Sequence, residues 1–307
     1  MRAEADLPRL VHRPSGPTGV DQLRVETAED HAGPWQPNWP AGTERRVLYR
    51  DPESGGSFTL LRFPAGYDRL DEASIAEAGG GQRFEYHSCH EEIVCLEGDY
   101  TFGEPELYDF SATTYLNHPP NWLHPARQRS RDGVLLLVRN SHPVDFGFCP
   151  IADDWDGAEH YLDAPWVEHS PSRAVTRLNL DELSMSAVFE DGTERGGMRG
   201  ALLWTDEVLG WETWLIEAEA GARLAHPDPD GISGPVGDEW FVLEGSLRFQ
   251  PRSASAAAEG DADVREISRH GHFCDPHAYP AGGAEVVAAE PVRALRWVVS
   301  GRISTTR

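Results

Sequence analysis

Apolar positions along this chain come in short runs, rich in Val, Leu, Phe and Trp, broken every few residues by Gly, Pro or Asp. Little of the sequence carries the 3.6-residue period of an amphipathic helix. The pattern therefore predicts an all-β protein of sandwich or barrel type. Helix is expected only in short pieces, DEASIAEA at 71–78 and LDELSMSAVF at 180–189. The segment QPRSASAAAEGDADVREIS at 250–268 is low in complexity and acidic, and reads as a solvated loop.

The runs repeat. VLYRDPESGGSFTLLRFPAG places Asp51, Gly55 and Gly66 at spacings of 4 and 11, and ALLWTDEVLGWETWLIEAEAG places Asp206, Gly210 and Gly221 at the same spacings. EEIVCLEGDYTF at 91–102 matches DEWFVLEGSLRF at 238–249 with Leu-Glu-Gly in register, and PPNWLH at 119–124 stands against PAGGAE at 280–285. Three blocks in the same order indicate a duplicated domain. The polar stretch IADDWDGAEHYLDAP holds the expected boundary, giving domains at 1–160 and 161–307. From Gly66 to Gly98 the first repeat takes 32 positions, where the second takes 24 from Gly221 to Gly245. The extra residues include 71–78 and are expected either to cover the mouth of the first domain as a lid or to form a plain surface excursion.

Composition narrows the function classes. The 307 residues, 39% hydrophobic and 25% charged, suit two soluble domains of ordinary size. Acids outnumber bases 51 to 27, and the net charge of −24 argues against nucleic acid or an anionic membrane as partner. Every basic residue is arginine, so a lysine Schiff base and a P-loop are both excluded. Cys89, Cys95, Cys149 and Cys274 form no CxxC pair, which speaks against a disulfide framework. The N-terminal residues hold no apolar stretch of signal-peptide length and no apolar run reaches spanning length, so a cytoplasmic location is expected.

The first repeat also carries a cluster of possible ligands. Glu85-Tyr86-His87, three residues, Glu91, six residues and Gly98 are followed by Pro119-Pro120-Asn121-Trp122-Leu123-His124. These segments resemble the two motifs of the cupin superfamily, His-x-His…Glu…Gly and Pro-x-Gly-x-x-His, with Glu85 at the place of the first histidine and Asn121 at that of a glycine. The likeness is to double cupins with anti-sigma-factor-like (ChrR-type) repeats. It implies two tandem jelly-roll barrels, the first holding a divalent metal on Glu85, His87, Glu91 and His124. Strand parity agrees: residues i and i+2 share a face, so Glu85 and His87 point to one side. Glu91 is then expected to open the next strand, and His124 to come from a later one. Two imidazoles with carboxylates suit Fe(II), Mn(II), Zn(II) or Ni(II), with Fe(II) favoured.

Glu85 is read as a ligand or as a general acid–base, and His90 as a group that could exchange roles with Glu91 or as a loop residue. Trp122 and Tyr86 are expected to wall a substrate pocket. In the second repeat the corresponding places hold His226, Asp228, Asp238 and Glu285, a degenerate set. The expected function is a metal-dependent enzyme acting on a small molecule. Non-haem dioxygenase chemistry comes first, a redox-neutral cyclase, isomerase, dehydratase or lyase second, and a non-catalytic binder third. Pairing of sheet edges makes a homodimer the expected assembly.

Overall fold

The computed structural model describes residues 24–26, 34–38, 41–50, 55–69, 83–102, 108–120, 122–144, 147–150, 160–161, 176–190, 193–206, 211–225, 235–251, 265–275 and 284–300. Among these residues regular structure is almost entirely β-strand, with 3₁₀ geometry at Leu180–Glu182 and at Arg69. No helix among them is long and apolar enough to cross a membrane. The expected all-β class holds. The chain divides into two compact units, one within 33–182 and the other within 183–307 together with the strand Arg24–Glu26.

In the first unit a curled antiparallel sheet runs in the order Thr176–Asn179, Thr114–His118, Glu91–Phe102, Val134–Asn140, Ser57–Phe63, Thr43–Arg50, Gln36–Asn38. A smaller sheet orders Gly147–Pro150, Arg83–Tyr86, Trp122–Pro125 and His160–Tyr161. Apart from the consecutive strands Gln36–Asn38, Thr43–Arg50 and Ser57–Phe63, most neighbours in both sheets are far apart in sequence, as the crossed connections of a jelly roll require. The core is formed by Phe63, Tyr67, Ile93, Cys95, Tyr100, Phe110 and their neighbours. Leu137 and Val94, a cross-strand pair, are buried as well, so the central strands are covered on both faces. That double burial explains why VLLLV at 134–138 reads as a continuous apolar run instead of an alternating one.

The second unit repeats the plan. One sheet orders Arg24–Glu26, His272–Asp275, Pro235–Glu244, Val292–Ser300, Trp211–Ala218, Thr193–Asp206 and Ser186–Glu190, and the other orders Arg223–Ala225, Ala284–Ala288, Leu247–Pro251 and Arg265–Ile267. The Leu-Glu-Gly register seen in sequence corresponds to one backbone event. Gly98 and Gly245 take φ values of 82° and 77°, and each lies against the backbone before the next central strand, Gly133 in one unit and Pro291 in the other. Two residues with positive φ that are not glycine also correspond: the amides of Thr113 and His270 donate to Cys95 and Val242, each at 2.7 Å, and these acceptors are aligned positions.

Three expectations change. The boundary near 160 moves to 182, because His160–Tyr161 and Thr176–Asn179 pair with Trp122–Pro125 and Thr114–His118. Strand pairing uses backbone groups that every residue carries, so a polar sequence does not mark a linker by itself. The stretch 180–189 is not a helix: after the turn at Leu180–Glu182 it enters the strand Ser186–Glu190, which buries Val188 in the second core. The acidic loop is shorter than 250–268, since Leu247–Pro251 and Arg265–Ile267 pair with each other. The insertion at 71–78 lies outside the described residues.

These glycines give a prediction. A Cβ on Gly98 would stand 1.8 Å from the Gly133 carbonyl oxygen, and one on Gly245 2.1 Å from that of Pro291, whereas Gly66, at φ 76°, has nothing within 4 Å. Gly66→Ala is expected to cost only the left-handed backbone strain, about 1–2 kcal/mol. Gly98→Ala and Gly245→Ala are expected to cost clearly more, because backbone must move. Urea unfolding followed by tryptophan fluorescence checks this, and equal costs at all three positions would refute it.

Candidate metal centre

Four backbone segments of the first unit bring the expected residues together. Glu85 lies in the strand Arg83–Tyr86, directly opposite His124 in Trp122–Pro125. His87 follows one residue after the first of these strands. Glu91 opens the strand Glu91–Phe102 and sits opposite His118 at the end of Thr114–His118. Burial alternates along 85–89, with Glu85, His87 and Cys89 inward and Tyr86 and Ser88 less covered, as strand parity predicts. Glu85, His87 and His124 are buried.

The two imidazoles face each other, Nε2 of His124 lying 3.3 Å from Nε2 of His87. Two nitrogens bound at about 2.1 Å to one ion, at angles between right and tetrahedral, stand about 3.0–3.4 Å apart, so this separation fits adjacent ligands. The carboxylates stand further back: Glu85 Oε1 and Glu91 Oε2 are each 3.9 Å from His87 Nε2. Among the described residues no three His, Cys, Asp or Glu side chains already form a complete metal-holding group. The four expected ligands are thus arranged as a histidine pair at ligand spacing, flanked by two carboxylates that would have to close in.

Further residues support this cluster, and the sequence reading did not single them out. Arg69, with no exposed surface, forms a buried ion pair with Glu85 through Nη1 and Oε2, and the same Nη1 donates to the Ala126 carbonyl at 3.2 Å. His118 holds Glu91, with Nδ1 3.1 Å from Oε2, and its ring stacks 5.2 Å from that of His124. Burial alone would raise the Glu91 pKa, but His87 nearby and the His118 hydrogen bond outweigh it and hold the carboxyl below its usual 4.5. Burial pushes His118 below 6.5 despite the opposing pull of Glu91. A neutral His118 therefore donates its Nδ1 proton to an ionised Glu91, and the carboxylate form is the one a metal needs. His118 stands six positions before His124; its place opposite Glu91 is the signal, and it appears only once strand register is known.

A cavity of about 250 Å³ opens onto Glu85, His87, Glu91 and His124. Tyr86 and Trp122 are not among the residues that line it. Tyr86 has the outward parity of its strand, and Trp122 packs behind the histidines, its ring 4.4 Å from His118 and 5.2 Å from His124. The aromatic residues that line the cavity are instead Phe63 and Tyr100, alongside Val47, Leu61, Leu136 and Val138, with Arg45 and Arg50 adding charge. His90 is buried and bonds through Nε2 to the Asn117 side chain, so it belongs to the supporting structure. The thiol of Cys95, in the core, is pushed up to about 12 by burial and then by Asp99, which makes it a poor ligand.

In the second unit, His226, Asp228 and the side chain of Asp238 lie outside the described residues. Glu285 forms an ion pair with Arg223 at 2.9 Å. The interior there is filled by Trp240, Val242, Leu247 and Phe249, all with no exposed surface.

The two shifted groups set a pH dependence. The folded state binds fewer protons than the unfolded chain, with His118 held below 6.5 and Glu91 below 4.5. Stability is therefore lost on acidification, first as pH falls below the ordinary histidine value and again below the ordinary carboxyl value. Thermal unfolding of chelator-treated protein between about pH 7.5 and about pH 5 should show a falling midpoint, with a shallower fall for His118→Asn. Identical slopes would contradict the assignment.

No family model matches the chain, and no curated protein matches it in sequence. Solved structures do. A protein of Nostoc punctiforme provisionally described as a dioxygenase is 14% identical, with a TM-score of 0.55 over 92% of this chain and 79% of that one. A glyoxylate-induced protein, so described provisionally, of Pseudomonas aeruginosa is 11% identical, with a TM-score of 0.54 over 89% and 83%. A deletion mutant of Bacillus subtilis oxalate decarboxylase is 13% identical, with a TM-score of 0.50 over 95% and 79%. Identities this low speak for architecture alone, and the architecture is that of the cupin fold, an all-β chain of jelly-roll domains.

Proposed function

We propose that the first unit is a metal-dependent enzyme acting on a small organic substrate, with Fe(II) held by His87, His124 and Glu91 and oxidation by O₂ as its reaction class. The observation that carries this reading is the 3.3 Å separation of the two Nε2 atoms beside two carboxylates that line the same cavity. Two imidazoles and one carboxylate leave coordination positions open, and an Fe(II) ion so held supplies binding and activation of O₂ next to a chelated substrate. The likeness to a provisional dioxygenase is in keeping with this choice but acts only through the fold.

Each residue has a distinct task. His118 fixes the orientation of Glu91 and keeps it ionised, the support that ligating carboxylates commonly receive. Arg69 takes one oxygen of Glu85 and leaves Oε1 turned toward His87. Glu85 can then close in as a further donor, or hold a proton for the substrate at Oε1.

Metal analysis of anaerobically purified protein, with O₂ uptake on adding an enolisable substrate, tests the reading. Iron with O₂ uptake is the expected result. Tightly held zinc without O₂ uptake would replace it by a redox-neutral lyase or isomerase, and inability to take up any divalent metal would leave a binder. His87→Ala and His124→Ala are each expected to lower metal affinity by more than about 100-fold while the fold persists. Glu85→Gln separates its two tasks, since metal retained with turnover lost marks proton transfer and metal lost marks ligation.

A further inference from the structure

Arg45 and Arg50 stand apart from the other arginines of the first unit. Arg62 pairs with Glu44, Arg69 with Glu85, Arg127 with Asp68 and Arg139 with Glu92. Arg45 and Arg50 are exposed residues that both line the cavity, and their side chains have no ion pair or hydrogen bond among the described residues. This is notable in a chain where acids outnumber bases 51 to 27. The two carboxylates of the same cavity do not pair with them, since Glu85 is held by Arg69 and Glu91 by His118.

A local irregularity of the backbone brings both residues to the cavity side of their strand. Strict alternation along Thr43–Arg50 would put Arg45, Val47 and Tyr49 on one face and Arg50 on the other. The register with Ser57–Phe63 shifts between Val47 and Tyr49, as at a β-bulge, so that Arg45 opposes Leu61, Val47 opposes Thr59 and Arg50 opposes Ser57. All six of these residues line the cavity, while Leu48 and Tyr49 are buried and do not. A bulge that re-aims a side chain beside a site is a recurrent device.

We infer that Arg45 and Arg50 form an anion-binding pair, and that the substrate is a small organic acid. Its carboxylate lies on these guanidinium groups while its other end reaches the ion at His87 and His124. The inference rests on the metal reading above for the second contact alone. Guanidinium forks match carboxylates in charge and in geometry. An overall charge of −24 repels anions, so a cavity that admits one needs local positive charge of this kind. Val47, Leu61, Leu136 and Val138 give the same cavity an apolar wall, which a carbon skeleton fills and an inorganic anion does not.

Calorimetric titration of the Co(II)-loaded protein with malonate, succinate and glutarate, with their diamides and with inorganic phosphate, reads the pair directly. At least one diacid is expected to bind and its diamide not to. Affinity should fall about tenfold in Arg45→Gln or Arg50→Gln and further in the double variant, with Co(II) content unchanged. Diacid affinity unaltered in the double variant overturns the assignment. So does the absence of binding by every diacid, or phosphate binding more tightly than all of them. The same titrations on chelator-treated protein separate the two readings. Failure to take up Co(II) sinks the metal reading, whereas arginine-dependent diacid binding without metal upholds the anion pair.

Discussion

A guanidinium group does not lose its proton in a protein interior, so an arginine with no exposed surface must have an anion within reach. Arg69 meets Glu85, and both are buried in the first barrel. The pair ties together more than two charges. Glu85 belongs to a strand that opposes His124, and Arg69 also binds the carbonyl of Ala126, just beyond the His124 strand. One side chain thereby fixes the register of the small sheet against the core and decides which oxygen of Glu85 faces the histidines. Loss of either partner would leave an uncompensated buried charge, a cost of several kcal/mol in comparable cases (about 3–5).

The ionisable cluster beside this pair is sustained by the same logic. His87 and His118 both act on Glu91 and hold it ionised, and burial strengthens these interactions by excluding water. On the opposite face of the same strand, Glu92 is buried too, accepting from Tyr115 Oη at 2.6 Å and from Arg139 at 2.9 Å. Adjacent carboxylates, Glu91 and Glu92, thus serve different sides of one strand. The first faces the cavity and is available to an ion, while the second is saturated by its neighbours.

The two barrels show how one architecture keeps or loses an interior site. Ile93 in the first corresponds to Trp240 in the second, and the shared approach of Gly98 and Gly245 to the next strand makes Val138 correspond to Arg296. Ile93 and Val138 line the cavity of the first barrel. In the second, Arg296 lies 4.9 Å over the Trp240 ring, and the indole has no exposed surface. A larger pair occupies the space that the smaller one leaves open. Close packing of these interior positions serves stability in the second barrel, whereas the first keeps a cavity beside them.

Features that depend on neighbours along the chain were legible in the residues alone. Short apolar runs gave the β class. The Leu-Glu-Gly register matched Gly98 with Gly245, and parity put Glu85 and His87 on one face. The sequence did not determine which distant strands meet. His118 lies opposite Glu91, and the strands His160–Tyr161 and Thr176–Asn179 join the first unit, because backbone pairing that side chains do not announce brings them there. Arg69 looked like any other arginine until burial matched it to Glu85. The register shift after Val47 inverts the parity of one strand and carries Arg50 into the cavity, against the alternation that a sequence reading has to assume. Local periodicity is written in residue types, whereas register, bulges and the pairing of buried charges are settled only when the sheets close on each other.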